Sequence, residues 1–551
     1  MTEPVFRLTA NLVDIHHEWI TPAEVAVSAG RIAEIRPAAA STTGGSTRCE
    51  TFLIPGFVDA HVHVESSLLV PSEFARAAVV QGTVATVSDP HEIANVLGVA
   101  GVEYMLANAA HSPLKICFGA PSCVPATPFE TAGAVLDANG VARLLDNPRI
   151  GYLAEVMNFP AVIRGDADML QKIRAATERG KPVDGHAPQL RGQAARLYFA
   201  AGVTTDHECV SYEEAIEKLG LGVRILIREG SAARNFAALA PLLRDHANRC
   251  MFCSDDLHPD ILVAGHINRL VRRAVAEGYD LMSVLRCACV NPVTHYGLPV
   301  GLLRVGDPAD FVEVDNLTNF NVLRTFIDGQ LVAEHGRSKL PSTAATPLNR
   351  FEKISHQAAD FAVPAVSNQI RVIEALDGEL ITRSMLDSPR VVDGLAVADP
   401  GRDLLKIAVI NRYHATPPAI AFIKGFGLQR GAIASSVAHD SHNLVAVGVD
   451  DESLAAAVNQ VVSAGGGLAV AEGSAAELLP LPVAGLMSAE PYEKVAADYT
   501  RLDARAKELG SRLRAPFMTL SFMALLVIPE LKLSDRGLFD CSRGEFVPLF
   551  V

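Results

Sequence analysis

Residues 56–67 read GFVDAHVHVESS and follow the apolar stretch TFLIP at 51–55. The run predicts an inward-facing strand that breaks soon after the two histidines. His61 and His63 stand two apart at its end, and on a strand residues i and i+2 share a face. A hydrophobic core has little use for two imidazoles side by side, whereas a transition-metal ion binds them well.

Outward from this strand the pattern alternates between short apolar runs and helical periodicity. Strands are expected at 52–60 (FLIPGFVDA), 83–89, 114–120, 151–156, 182–187, 202–208, 223–229 and 249–255. PSEFARAAVVQG and DADMLQKIRAATERG between them read as helices, the second opening on an acidic cap and closing at Gly180. In VSYEEAIEKLG, Ser211 precedes Glu214 by three, the spacing of a capping box. Eight β/α units at this spacing predict an α/β fold, a (β/α)8 TIM-like barrel over 53–305. A doubly wound open sheet is the alternative. No candidate first strand is followed by the Gly-rich loop that such a sheet uses for dinucleotides.

On either side of the barrel the period changes to two. NLVDI, AEVAVSAG and RIAEIRP read as short strands, with AAASTTGGSTR (38–48) as a polar loop, and alternation returns after residue 300 with turns at GDPAD and DGQ. Residues 1–52 and 306–338 are therefore expected to form one small β-sandwich domain. A Pro, Ala, Ser and Thr-rich linker covers 339–364, and 365–551 is expected to be a C-terminal α+β domain.

With 551 residues, 49% of them hydrophobic, the chain can bury the cores of two or three domains. The net charge of −14, with no basic block, argues against a nucleic-acid partner. The first twenty residues lack the basic-then-apolar pattern of a secretory signal. FMTLSFMALLVIP (517–529) is too short to span a bilayer and is expected to be a buried helix or strand, so no membrane partner is expected. Nine cysteines, odd in number and scattered in apolar runs, fit reduced thiols in a cytoplasmic protein. Cys250 and Cys253 have redox spacing, but no helix begins between them, and they read as core residues.

The polar residues of the predicted barrel fall at strand ends. His61 and His63 close the first strand, Glu155 the fourth, His186 the fifth, His207 and Glu208 the sixth, and Asp255 with Asp256 the eighth. In a closed barrel these ends form one ring around the mouth. Buried carboxylates need partners, and four imidazoles with two carboxylates suit two divalent cations. A shared Glu155 and a shared hydroxide would lessen the repulsion between the ions, and the hydroxide would be a nucleophile at neutral pH. Asp255 is placed both to bind a cation and to move a proton.

Other residues admit two readings. In SDPHEIANVLG, Asp89 caps a helix, and His91 and Glu92 either lie at the surface or reach the site from the loop. Gln189 of GHAPQL suits a polar heterocycle at the pocket mouth. In REGSAARN, Arg228, Glu229, Ser231 and Arg234 either bind substrate or form a salt-bridged helix start. His258, three residues beyond Asp255, could orient that carboxylate. HDSHN (439–443) either joins the pocket across domains or forms a turn network. The chain has no Walker loop, no G-x-S-x-G elbow, no HExxH and no cytidine-deaminase zinc pattern.

GFVDAHVHVESS resembles the first-strand motif of the amidohydrolase superfamily. SDPHEIANVLG, GHAPQL, TTDHECVS, REGSAARN, FCSDDLHPD, GHINRLVRRAV, NPVTHYGL, GDPADFV and KGFGLQRGAIASSVAHDSHNLVAVG are similar to motifs of its bacterial adenine deaminase family, over nearly the whole chain. The resemblance implies hydrolysis of adenine to hypoxanthine and ammonia with two divalent metals, Mn2+ or Fe2+, Zn2+ being possible. It implies that His61 and His63 hold one metal, that His186 and His207 hold the other, and that Glu155 bridges. Asp255 would complete the first set and transfer protons. Asp255, His91, Glu92 or Glu208 could assist protonation of the ring, and Glu92, Gln189, Arg228 and Ser231 are the candidate substrate contacts. A homo-oligomer is the expected assembly. Rival readings are an amidohydrolase acting on another base or a cyclic amide, and a non-catalytic barrel scaffold.

Overall fold

The computed structural model describes residues 6–38 and 49–551, so the polar loop read at 38–48 lies outside the described residues apart from Ala38. Strands β1 (Phe6–Asp14), β2 (Trp19–Ser28), β3 (Arg31–Pro37) and β4 (Phe52–Pro55) precede the barrel. The barrel strands are β5 (Phe57–Val62), β6 (Thr83–Ser88), β7 (Lys115–Ala120), β8 (Ile150–Val156), β9 (Val183–Gly185), β10 (Thr205–Asp206), β11 (Arg224–Arg228) and β12 (Cys250–Cys253). β5 to β9 form one parallel run and β10 to β12 another. Backbone hydrogen bonds close both seams. Thr204 N–H donates to Val183 O at 2.9 Å, Asp255 N–H to His61 O at 2.9 Å and His63 N–H to Asp255 O at 3.3 Å. The ring of eight parallel strands is the barrel the alternation predicts. β5 and β6 are buried along their whole length, which is why neither shows an exposed, charged alternate face. Cys250 and Cys253 are free thiols buried in β12.

The strand expected at 52–60 is two strands. β4 pairs with β1 and with β13 (Phe311–Val314) in the small sheet, and β5 opens the barrel. The chain passes between them at Gly56, where a Cβ would lie 2.3 Å from Val84 side-chain atoms. Both pieces are buried, so no change of period marks the division.

β14 (Val322–Ile327), β15 (Gln330–Glu334) and β16 (Arg337–Ser338) complete the small sheet, in the order β16-β15-β14-β13-β4-β1-β2-β3. It thus draws on both ends of the barrel segment. Leu12, Val25, Leu53, Phe311 and Phe326 share its core. The sheet curls so that β3 returns to the loop before β13, with Ile32 N–H donating to Asp307 O and Ala309 N–H to Gly30 O, each at 2.9 Å.

A second eight-stranded sheet lies between residues 370 and 480, antiparallel except where Ile370–Ala375 runs parallel to Ala419–Lys424. The helix Asp451–Ala464 packs Leu454, Val458 and Val461 on it; Asp450 caps its start, and Gly465, at φ +73°, ends it. This body docks on the barrel mouth: Val70 N–H donates to Ser488 O at 3.1 Å and Ser488 N–H to Leu68 O at 2.8 Å. FMTLSFMALLVIP is buried as expected, as the helix Pro516–Ser521 and the turns after it.

A buried ion cluster fixes the loops after β9 and β10. The Lys218 ammonium is fully buried and donates to Glu214 Oε1 at 2.7 Å, to Ala187 O at 2.6 Å and to the Asp206 carboxylate. Asp206 directly precedes His207. Lys218→Met leaves two buried carboxylates unpaired and is expected to destabilise the fold by about 3–5 kcal/mol, read by chemical denaturation. A change below 1 kcal/mol would contradict this role.

Candidate active site

The strand ends converge as a ring of buried ligand atoms. His61 Nε2 lies 3.4 Å and His63 Nε2 3.3 Å from Asp255 Oδ1, and His63 Nε2 is also 3.4 Å from Glu155 Oε1. The other Glu155 oxygen lies 2.9 Å from His186 Nδ1 and 3.2 Å from His207 Nε2. Ligand atoms about 2.1 Å from one ion stand roughly 3.0–3.4 Å apart on its coordination sphere, which is the spacing seen. Both ring nitrogens of the fully buried His61 lack a hydrogen-bond partner. His63 Nδ1 donates to Asp89 O at 3.1 Å, leaving the Nε2 lone pair turned toward two carboxylates. Buried imidazole lone pairs and carboxylates facing one another fit divalent cations.

Arg228, from the end of β11, reaches under this ring. Its guanidinium donates to both Glu208 oxygens at 2.6 and 2.9 Å and to Asp255 Oδ2 at 2.5 Å. Burial alone would raise both carboxyls. Arg228, aided by nearby histidines, instead holds Glu208 and Asp255 well below the usual carboxylate range. Asp255 sits at φ +56°, a left-handed conformation that aspartate tolerates and that is found at strained functional positions.

His91 and Glu92 begin the helix His91–Leu97; Pro90 holds the cap position, and Asp89, expected as the cap, lies one residue earlier and accepts from His91 N–H at 3.0 Å. Both are buried, so the surface reading of this pair is set aside. His91 Nδ1 lies 3.0 Å from Asp89 Oδ2 and 3.5 Å from Glu155 Oε1, joining the helix start to the ring.

The C-terminal body roofs the cavity. His439, Asp440, Phe522, Leu525, Val527 and Ile528 face the ring across it. His439 and His442 both bond to the Glu92 carboxylate, so HDSHN joins the pocket across domains. Glu208, Arg228, Leu380, Val527 and Ile528 also line an outer cavity of about 480 Å³, through which the inner space opens and where Gln189 lies.

Two sequence expectations end elsewhere. Ser231 is not among the residues lining the inner or outer cavity; its hydroxyl accepts from His258 N–H at 2.8 Å, tying two loops together. Among the described residues no hydrogen bond joins His258 to Asp255. The His258 ring instead packs 4.5 Å from Tyr499, with burial pushing its pKa down to about 3. Glu229 pairs with Arg273, as in the salt-bridged reading, whereas Arg234 bonds to Gly230 O and lines the outer cavity. The roof was missed because its apolar run carries no chemistry of its own, and only its packing shows what it covers.

A barrel whose strand ends carry this histidine and carboxylate ring belongs with metal-dependent hydrolases, and the chain belongs to the amidohydrolase family, whose model matches residues 52–332. Within that family it groups with the adenine deaminases. Residues 379–545 match the adenine deaminase C-terminal domain. The chain is 58% identical over 549 residues to an adenine deaminase of Salinibacter ruber, covering 99% of each. It is 54% identical to one of Methanosarcina mazei, over 91% of this chain and 93% of that one. An adenine deaminase of Borreliella afzelii is 44% identical, over 98% and 99%.

Proposed function

We propose that this chain hydrolyses free adenine to hypoxanthine and ammonia. The observation that carries the reading is the buried ligand ring, in a chain 58% identical end to end to a protein named adenine deaminase. His61, His63 and Asp255 would hold one cation, His186 and His207 the other, and Glu155 would give one oxygen to each. Manganese or iron suits this mixed nitrogen and oxygen set, with zinc as the alternative. Such a cation pair, when bound, supplies a water of lowered pKa as nucleophile.

The remaining steps belong to side chains. Asp255, kept ionised by Arg228, accepts a proton from the attacking water and passes it to the amino nitrogen, which leaves as ammonia. Glu208 is held beside it by the same guanidinium. His91, between Asp89 and Glu92, borders the reacting centre, and Gln189 meets substrate in the outer cavity. Leu525, Val527, Ile528 and Phe522 offer apolar surface to a purine face and exclude water. No helix among the described residues is long and apolar enough to cross a membrane. A cytoplasmic homo-oligomer that binds no nucleic acid completes the reading.

The test is ammonia release by the purified, manganese-supplemented protein. Adenine is expected to be turned over, and guanine, cytosine and cyclic amides are not. Two equivalents of divalent metal per chain are expected in the same sample. Turnover of a cyclic amide in preference to adenine would sink this reading, and a metal-free protein would favour the scaffold.

A further inference from the structure

Glu92 is buried and takes both of its partners from the C-terminal body. His442 Nδ1 accepts from Ala438 N–H at 3.2 Å, so its proton sits on Nε2, which donates to Glu92 Oε2 at 2.5 Å. His439 Nδ1 bonds to Glu92 Oε1. A carboxylate only accepts, so His439 also donates there, and this fixes its ring. Phe522 stacks on the ring at 4.5 Å and 12°, and Ser521 O accepts from His439 N–H at 3.1 Å. The outcome is a histidine oriented on three sides whose Nε2 is buried without a partner and which borders the cavity of the ligand ring. A buried imidazole nitrogen left unpaired is costly unless something visits it.

We propose that His439 is a catalytic residue, the donor of the proton that the purine ring takes up at N1, with Glu92 as its positioning residue. The inference rests on the adenine reading above. Addition of oxygen at C6 places an electron pair on N1, and the lactam product carries hydrogen there. His439 Nε2–H supplies it and becomes neutral. Of the two protons of water, one passes through Asp255 to the departing amino group and the other returns to His439. The C6–O bond forms and the C6–N bond to the amino group breaks, so adenine and water give hypoxanthine and ammonia with no net change on the enzyme.

The charged neighbours of His439 favour a donor. Burial lowers its pKa, but Glu92, Asp256 and Asp440 face it and push it up to about 9. The remaining titratable groups around it are His442, whose pKa burial pushes down to about 4, His258, down to about 3, and His91, whose Nε2 lies 3.5 Å from Glu92 Oε1 and 3.9 Å from Asp440 Oδ1. An acid must be protonated to act, so kcat/KM is expected to fall as pH rises through about 9.

The experiment uses the full-length, manganese-loaded enzyme with His439→Gln and His439→Phe. Glutamine keeps an N–H in the region of Nε2 but holds no transferable proton, and phenylalanine keeps the stacking on Phe522. Both variants are expected to retain two metals per chain and a KM for adenine within about threefold, with kcat reduced roughly 10²- to 10³-fold and the alkaline limb lost. Glu92→Gln is expected to move that limb downward. His439→Gln with unchanged kcat and an unmoved limb would overturn the inference. If both His439 variants lose their metal, the unmodified enzyme decides: an alkaline limb near pH 9 supports the donor, and a rate flat to pH 10 overturns it. Absence of ammonia release from adenine by the unmodified enzyme would bring down the functional reading and this inference together, a distinguishable result.

Discussion

Glu155→Gln is expected to abolish ammonia release, by at least about 10³-fold, and to lower bound metal below two equivalents. Glu155 is the one ring residue whose two oxygens face different histidine sets, 3.4 Å from His63 on one side and 2.9 and 3.2 Å from His186 and His207 on the other. Glutamine has the same shape but no charge, and one of its oxygens becomes an amide nitrogen that cannot act as a ligand. His186 and His207 then lose their shared ligand and keep only Glu208 Oε1, at 3.5 and 3.4 Å, as a carboxylate neighbour. Metal analysis and an ammonia assay on the same preparation check both halves. Full metal content with undiminished turnover would remove Glu155 from the centre of the site.

Arg228→Met is expected to cost about 3–5 kcal/mol of stability at neutral pH, with activity falling alongside. Methionine fills much of the volume but leaves Glu208 and Asp255 as buried carboxylates with their common cation gone. With Arg228 present, both carboxyls are depressed, so their contribution is in place above the unfolded carboxyl pKa and fades as pH falls through the folded value. Without it, burial is opposed only by the nearby histidines, so both carboxyls rise from their depressed values and the folded state takes up protons more readily as pH falls. The stability gap between the two proteins should therefore narrow on acidification. Unfolding followed at pH 7 and pH 5 measures it, and a gap that widens in acid would contradict the assignment of Arg228 as their counter-charge.

Much of the barrel was legible because five of its eight expected strands close on a histidine or carboxylate of the ring, residue types a core would not choose. His61, Glu155, His186, His207 and Asp255 are far apart in order, yet a closed parallel ring brings every C-terminal strand end to one rim. The strand break at Gly56 was not legible, since period and polarity are the same on both sides and only the approach of Val84 demands glycine. The strand expected at 202–208 is shorter, Thr205–Asp206 with Thr204 hydrogen-bonded to Val183 and Arg224 beside it, and His207 and Glu208 lie beyond its end. The pairing of Glu92 with His439 and His442 lies some 350 positions apart in sequence. No local rule links such residues, and HDSHN by itself reads equally well as a turn. Ser231 and His258 show the opposite failure: their neighbours in sequence are site residues, while the Ser231 hydroxyl bonds the His258 backbone and the His258 ring packs on Tyr499 of the helix Tyr492–Glu508.

The roof over the ring also sets an order of events during translation. Asp255 leaves the ribosome well before Phe522, and at about 5–20 residues per second the interval is on the order of 10–50 s. During it a nascent chain that has released β1 to β12 has an open barrel rim, without the roof that would shelter a base from bulk solvent. Premature termination after the barrel but before the last thirty or so codons would release a chain that carries the ring without Phe522, Leu525, Val527 and Ile528 over it.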